Sequence, residues 1–365
     1  MTKIAIFTWR DIKNPKAGGS EAYFHEIAKR IAKKGNEVIW LTSSWKGAKK
    51  IEQIDGIKII RRGSQFMQYL DAPISYFKYA KDADIIIDNE NGIPFFTPLY
   101  AWNKKIFLHI HHIHKDVWFK EAKGLMKMLG VVGYILEKWL MPLAYRNKKI
   151  ITISKSSAEE IEKEIGKNVL GIVNPGFSCQ KIKGYKKYSS PTILFVNRVK
   201  KYKGIDTLIK AFKIVKKEIS EARLIVAGTG DDLERLKQEV KEDNIKDIEF
   251  SGFVSDEKKQ ELMEKAWVFV NPSFKEGWGI VNIEASYYGL PIIGSNVAGI
   301  RDSIKNHESG ELFSYGNAKE LARKLVDMLK DDKKRKKLGS NGKKWAKQFS
   351  WESSADKYLG IIKGK

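Results

Sequence analysis

The stretch Phe274-Lys-Glu276-Gly-Trp-Gly279-Ile-Val-Asn-Ile-Glu284-Ala285 decides how this chain is read. Glu276 sits on a segment broken by Gly277 and Gly279. Glu284 falls about one turn inside an apolar helix that closes at Gly289-Leu290-Pro291. A helix that begins this way is an anion site. The N–H groups around Gly279, Ile280 and Val281 have no intrahelical acceptors, and the helix dipole adds partial positive charge, so a pyrophosphate docks there favourably. A carboxylate one turn further on suits a vicinal diol, whose two hydroxyl donors match its two oxygens. The competing reading is a surface loop leading into a solvated helix, under which the Gly277-Trp278-Gly279 break has little purpose.

Outward from this segment, short β-branched runs alternate with helical patterns along the whole chain, the signal of parallel sheets wrapped by helices. Strands are expected at Ile4–Phe7, Val38–Leu41, Ile57–Ile60, Ile85–Ile87, Ile106–Ile110 and Ile150–Ile153 in the first half. In the second half they are expected at Thr192–Val196, Arg223–Ala227, Ile248–Phe250, Val268–Val270 and Pro291–Ile293. The first helix starts near Ser20, which reads as its N-cap, buries Tyr23, Ile27 and Ile31, and stops at Gly35-Asn36. The Cys179–Ser190 connection carries little apolar periodicity and ends in Pro191. It divides a domain over residues 1–180 from one over residues 191–349. Two such halves place a shared ligand in a central cleft, at the carboxyl ends of their strands.

The chain has 365 residues, enough for two domains with cores of their own, and 42% hydrophobic with 30% charged residues is a globular composition. One cysteine, Cys179, precludes an internal disulfide and suits a reducing compartment. Met1 runs directly into the first strand with no leader, and no apolar run reaches the length of a membrane span, so a cytoplasmic location is expected. The net charge of +23 admits a nucleic acid, an anionic membrane surface, or the Lys-rich composition of heat-adapted proteins. The lysines are scattered and not interleaved with aromatics in one block, which argues against nucleic acid as a partner. Val117–Tyr145 mixes Trp118, Phe119, Trp139 and Leu140 with Lys120, Lys123, Lys127 and Lys138. This is the pattern of an amphipathic basic segment at a membrane interface, or of a helix pair packed on its own domain.

Several further motifs stand at strand ends. They are Asn197-Arg198-Val-Lys-Lys-Tyr-Lys203-Gly204 after the first strand of the second half, Gly18-Gly19-Ser20-Glu21 before the first helix, and His109-Ile-His111-His112-Ile-His114. With Gly228-Thr-Gly230, Ser251-Gly-Phe-Val254 and the paired glutamates, they give the chain a resemblance to the retaining glycosyltransferases of family four along nearly its whole length. That resemblance implies the GT-B fold: two Rossmann-like, doubly wound α/β domains facing a central cleft, with a C-terminal helix, here residues 350–365, crossing back to the first domain.

The resemblance also implies roles. Glu276 would hold the donor sugar, and Glu284 its ribose. Arg198 and Lys203 would take the departing diphosphate, whose charge grows as the glycosidic bond breaks. Gly18 and Gly19 would cover phosphate and acceptor; Gly228, Gly230, Val254, Gly279, Ile280 and Val281 would line the nucleotide. His111 aligns best with a sugar-facing histidine of the family, with His112 its near rival. His109 and His114 read as structural. Alternating histidines could suggest zinc, but no cysteine accompanies them, so no metal is expected. Asp82-Ala-Asp84 precedes its strand and reads as surface turn chemistry, whereas Asp88-Asn89-Glu90 through Pro94 follows that strand and could touch the acceptor. Ala298 and Asp302 in Ala298-Gly-Ile-Arg-Asp302 depart from the family's usual Gly-Gly and acid.

The expected activity is metal-independent, cofactor-free transfer of a hexosyl unit, with retention, from a UDP or GDP sugar to a hydroxyl acceptor, polysaccharide or lipid-linked. No side chain is placed by the sequence as a covalent nucleophile, so a front-face path is expected. A non-hydrolysing nucleotide-sugar epimerase of the same fold and a non-catalytic sugar-nucleotide binding protein are the alternatives. They differ in requiring no acceptor and in showing no turnover.

Overall fold

The computed structural model describes residues 1–64, 67–90, 93–111, 113 and 133–364. The chain forms two compact units, one of Met1–Gly176 with Trp351–Lys365 and one of Phe177–Ser350.

In the first unit, the strands are β1 (Lys3–Phe7), β2 (Glu37–Thr42), β3 (Ile51–Ile54), β4 (Ile57–Arg61), β5 (Ile85–Glu90), β6 (Lys105–Ile110), β7 (Lys149–Thr152) and β8 (Val169–Ile172). Their order is β3-β4-β2-β1-β5-β6-β7-β8, all parallel except the antiparallel β3–β4 hairpin. Buried on both faces, the central strands read as continuous apolar runs, such as Ile85-Ile-Ile87. The sequence reading missed β3 and β8. β3 alternates half-buried and exposed residues at the sheet edge, and β8 is interrupted by Gly171, so neither carries a continuous apolar signal. A Cβ at Gly171 would stand 2.5 Å from Ile361 of the last helix, which explains the glycine.

That last helix, Trp351–Lys363, belongs to the first unit and packs along the Gly19–Lys33 helix. Trp351, Tyr358 and Ile362 are buried, Trp351 edge-on to Tyr23 and Tyr358 edge-on to Phe24. Arg30–Glu352 and Lys34–Asp356 ion pairs run along the rim. Tyr358→Ala removes a fully buried ring and is expected to cost about 3–5 kcal/mol, read from urea unfolding of the full chain.

The second unit has β9 (Thr192–Val196), β10 (Arg223–Ala227), β11 (Ile248–Gly252), β12 (Val268–Asn271), β13 (Ile292–Ser295) and β14 (Gly310–Phe313), all parallel in the order β11-β10-β9-β12-β13-β14. Phe195, Leu208, Phe212, Leu321 and Leu325 fill the layer on one face, and Leu194, Phe269, Met263, Ala285 and Ile300 the layer on the other. The connection ahead of β9 has no helix or strand, yet it is not a loose tether. The carboxylate of Glu264 accepts the N–H groups of Lys183 (3.0 Å), Gly184 (2.7 Å) and Tyr185 (3.1 Å), and Trp267 Nε1 donates to Tyr188 O. Its order comes from side chains of another element, which its own sequence does not record.

Two local expectations are corrected. The first helix begins at Gly19, with Gly18 as N-cap, and the side chain of Glu21 reaches back to accept Gly18 N–H at 2.7 Å; Ser20 caps nothing. Asp88, Asn89 and Glu90 do not follow β5 but form its last three residues, all buried. Asp88 accepts from Phe95 N (2.9 Å), Thr97 N (3.1 Å), Thr97 Oγ1 (2.8 Å) and the Tyr145 hydroxyl. Burial pushes its carboxyl pKa up, against the opposing pull of those donors. The sequence therefore placed at an acceptor-facing loop a residue whose four donors pin the chain inside the domain.

Candidate active site

In a doubly wound sheet, the ligand crevice lies beyond the carboxyl ends of the strands where the winding direction reverses. In the second unit this point is between β9 and β12, because β10 lies on one side of β9 and β12 on the other. The loops that leave these two strands carry Arg198 with Lys203 and Glu276 respectively. Residues 73 positions apart in the chain meet there: Lys203 Nζ lies 2.5 Å from Glu276 Oε1, with Lys203 only 3% exposed. Arg198, on the same loop, is exposed.

The backbone around the pair leaves no slack. Gly204 takes φ +70° and a Cβ there would meet Pro272 O at 2.2 Å, so the Lys203 loop lies directly on the Glu276 loop, and Phe274 N donates to Tyr202 O at 2.7 Å. Gly299, at φ +78°, presses equally closely on Glu276 O, 2.1 Å from where a Cβ would stand. Ser273 Oγ lies 3.0 Å from Glu276 Oε1 and 2.8 Å from Asn271 Oδ1. Asn271 then bonds Asn282 (3.0 Å), and Asn282 bonds Ser303 (2.9 Å), all four residues being buried. The sequence reading did not include Ser273, Asn271 and Asn282. A signal was present in the two asparagines, each a polar residue at the buried end of an apolar strand or on an apolar helix, where only a satisfied network is tolerated.

The Ile280–Tyr287 helix begins at Gly279, at φ +78°, and places Glu284 with 13% of its side chain exposed. Burial raises the Glu284 pKa, opposed by Lys259, whose Nζ stands 3.1 Å from Oε1. Lys259 was also missed; in a helix with three lysines among ten residues, sequence offers no way to single it out. Gly228 and Gly230 have an internal reason to be glycine. A Cβ at either would stand 1.8 or 1.9 Å from Asn197 O or Val199 O, where the loop after β10 packs on the loop after β9. Val254 follows β11 and packs half-buried against the core. The thiol of Cys179 is half-buried near Glu284 and Tyr288, and desolvation pushes its pKa up to about 12.

In the first unit the winding reverses between β1 and β5. The loop after β1 leads to Gly18 and Gly19, β5 ends in Asn89 and Glu90, and β6 is followed by His111. A Cβ at Gly19 would meet no atom within 4 Å, and Gly18 adopts an ordinary extended conformation. Neither glycine is demanded by backbone geometry or by packing, which leaves room for a ligand to approach the helix start. Ser20 Oγ lies 2.8 Å from His111 Nε2, and Asn89 Nδ2 lies 3.3 Å from Ser20 Oγ. His109 is fully buried among Phe24, Tyr23 and Tyr358, and its pKa falls to about 3, so it stays neutral in the structural role expected of it. Asp82 and Asp84 face Lys3 at the opposite end of the sheet, 2.7 and 2.8 Å from its side-chain and main-chain nitrogens. His112, His114 and residues 117–132 of the aromatic basic segment lie outside the described residues.

Comparison with known proteins identifies the family and the fold. Residues 180–345 match the family described as "Glycosyl transferases group 1", and residues 17–181 match "Glycosyltransferase Family 4". An uncharacterized glycosyltransferase of Haemophilus influenzae is 26% identical over 378 residues, covering 99% of this chain and 100% of that protein. Among solved structures, sucrose-phosphate synthase from Thermosynechococcus elongatus superposes with a TM-score of 0.78 at 19% identity, over 100% and 99% of the two chains. Anabaena HepE, solved in complex with UDP-glucose, does so with a TM-score of 0.76 at 17% identity, over 100% of both. At such identities the structural likeness establishes the GT-B fold alone, while the two sequence matches span most of the chain. The chain therefore belongs to the group 1 glycosyltransferases, of the family-four type.

Proposed function

We propose that this glycosyltransferase moves a hexosyl unit, with retention and without a metal, from a nucleoside diphosphate sugar to a hydroxyl acceptor. The observation that carries the reading is the Lys203–Glu276 pair at the β9/β12 reversal, with Arg198 on the same loop. Lys203 and Arg198 meet the diphosphate as its charge grows, the stage at which preorganised cations contribute most. Glu276 turns from Lys203 to the hydroxyls of the sugar, and Glu284 takes the ribose diol. Gly279, Ile280 and Val281 offer the helix start to phosphate, and Gly228, Gly230 and Val254 line the nucleotide. In the first unit, Gly18 and Gly19 cover the phosphate and acceptor, and His111 faces the sugar. Asn89 and Glu90 stand near the acceptor.

A thermal-shift screen of UDP and GDP sugars against the full chain tests this, because a ligand at 100 times its Kd stabilises the folded state by about 2.7 kcal/mol. The best ligand then goes into a product assay with and without acceptors. Conversion of a UDP-N-acetylhexosamine with no acceptor would favour epimerase chemistry, and binding without any product would favour a binding module.

A lipid-linked acceptor at an anionic membrane surface is the finer reading of the acceptor, supported by large apolar side chains exposed on the first unit. Leu70, Ile74 and Phe77 on the helical turns from Gln68 to Ala80, Trp102, and Trp139 and Leu143 are exposed, the last two by 68% and 67%. Ring contacts of Tyr76 with Tyr100 and of Phe96 with Tyr145 hold these segments together as one layer. The exposed side-chain charges near them include Lys78, Lys81 and Lys138. Peripheral attachment at the cytoplasmic face predicts that the protein floats with vesicles containing about one-third anionic lipid, and that Phe77→Ser/Trp139→Ser reduces flotation several-fold. A protein that remains wholly in solution overturns it.

A further inference from the structure

We propose that Ser20 is a positioning residue that fixes the tautomer and direction of the His111 imidazole, with Asn89 holding the Ser20 hydroxyl in place. The inference begins from the corrected helix start. Glu21 closes the Gly19–Lys33 helix back onto Gly18 N–H, so the Ser20 hydroxyl is not needed as a cap. It turns instead to the carboxyl ends of β5 and β6. Asn89 Nδ2 approaches Ser20 Oγ at 3.3 Å, and an amide NH₂ has only hydrogens to give, so the hydroxyl accepts there. Its single proton then points at His111 Nε2, 2.8 Å away, which must be the ring nitrogen with the lone pair. The ring proton of a neutral His111 accordingly resides on Nδ1, and the imidazole presents a donor from that side.

The surroundings make this a fixed arrangement. His111 is 5% exposed and Asn89 3% exposed. Tyr23 and Phe24 stand edge-on to the His111 ring at 5.4 and 5.8 Å, and Ser157 Oγ donates to His111 O at 2.9 Å, holding its backbone. His109, with ring centroid 4.6 Å away, is held neutral by burial and adds no competing charge. The fold itself has little use for the hydroxyl. Position 20 lies in the first helical turn, where alanine is at least as good a helix former as serine. A loss of kcat therefore reports on His111, and the urea midpoint registers separately any cost of leaving Asn89 Nδ2 without its acceptor. Only the kinetic consequence rests on the proposed transfer reaction; the tautomer stands without it.

Long-range ¹⁵N–¹H correlation spectra of the full chain read the tautomer directly, with His111→Gln assigning the resonance among the six histidines. The Nδ1–H form is expected in the natural protein and in Ser20→Thr, and a shift toward Nε2–H is expected in Ser20→Ala. An Nε2–H ring in the natural protein, or an unchanged ring in Ser20→Ala, overturns the proposal. In transfer assays, Ser20→Ala should lower kcat about tenfold at unchanged donor KM, the loss of roughly one oriented hydrogen bond. Ser20→Thr should retain activity, and Ser20→Ala should cost nothing further in a His111→Ala background. A loss that persists in that background also overturns it. If no nucleotide sugar is turned over at all, the functional reading fails while the spectra still decide the tautomer.

Discussion

Lys203→Ala and Glu276→Ala are each expected to lower transfer by about a hundredfold to a thousandfold, the range for removing a preorganised charge from the reacting centre. Both side chains are largely withdrawn from solvent and lie 2.5 Å apart, so each single substitution also leaves the partner charge uncompensated. Two effects are thus mixed in either variant, and the double substitution separates them. Removing both charges restores much of the lost thermal stability, because no unpaired ion remains, yet activity stays at the level of the weaker single variant. Neighbouring polar groups limit the repair, since Ser273 would lose its Glu276 partner and keep only Asn271. The measurement is kcat/KM with the best donor from the thermal-shift screen, set beside urea midpoints for the three variants. Near-normal turnover in both single variants would remove the basis of the proposed mechanism.

Asp11→Ala is expected to be the most destabilising single polar substitution, at about 3–5 kcal/mol, because it takes the bidentate partner from a buried guanidinium. Arg61 on β4 is 2% exposed and bonds Asp11 bidentately, Nε to Oδ2 at 2.7 Å and Nη2 to Oδ1 at 3.0 Å. Its Nη1 donates to Glu52 Oε2 at 2.8 Å and Lys49 O at 2.9 Å, and the guanidinium lies over the Trp45 ring at 4.7 Å. With Asp11 gone, the buried cation keeps Glu52 as a counter-charge but loses its bidentate partner. Replacing both members, Asp11→Ala with Arg61→Leu, should recover a good part of the loss, since the desolvation penalty disappears along with the pair. Urea midpoints decide it, and equal loss in the single and double variants would show that Arg61 contributes through its packing instead. Asp11 stands on the loop that leads into Gly18 and Gly19, so a weaker donor KM in Asp11→Ala is expected to accompany the instability.

The alternation of Ile- and Val-rich strands with amphipathic helices was sufficient to call two parallel-sheet halves, because strand and helix periods are local properties of the chain; the helix returning at the end was implied by the family resemblance. The same locality singled out Lys203 and Glu276, each beside a glycine, Arg198 just after a strand, and Glu284 one turn into a helix. Tertiary structure alone decided which of these meet: Lys203 on Glu276 across the β9/β12 reversal, and Glu284 on Lys259 from the preceding helix. It also reassigned Asp88 from a candidate acceptor contact to an internal anchor, gave Gly228 and Gly230 a packing reason, and moved Ser20 from cap to histidine partner. The physical reason is that a hydrogen bond or ion pair joins residues tens or hundreds of positions apart, and its partner leaves no periodic trace in either segment. What the chain writes locally is where backbone turns and apolar faces fall; which polar groups then find each other is set only when the strands take their order.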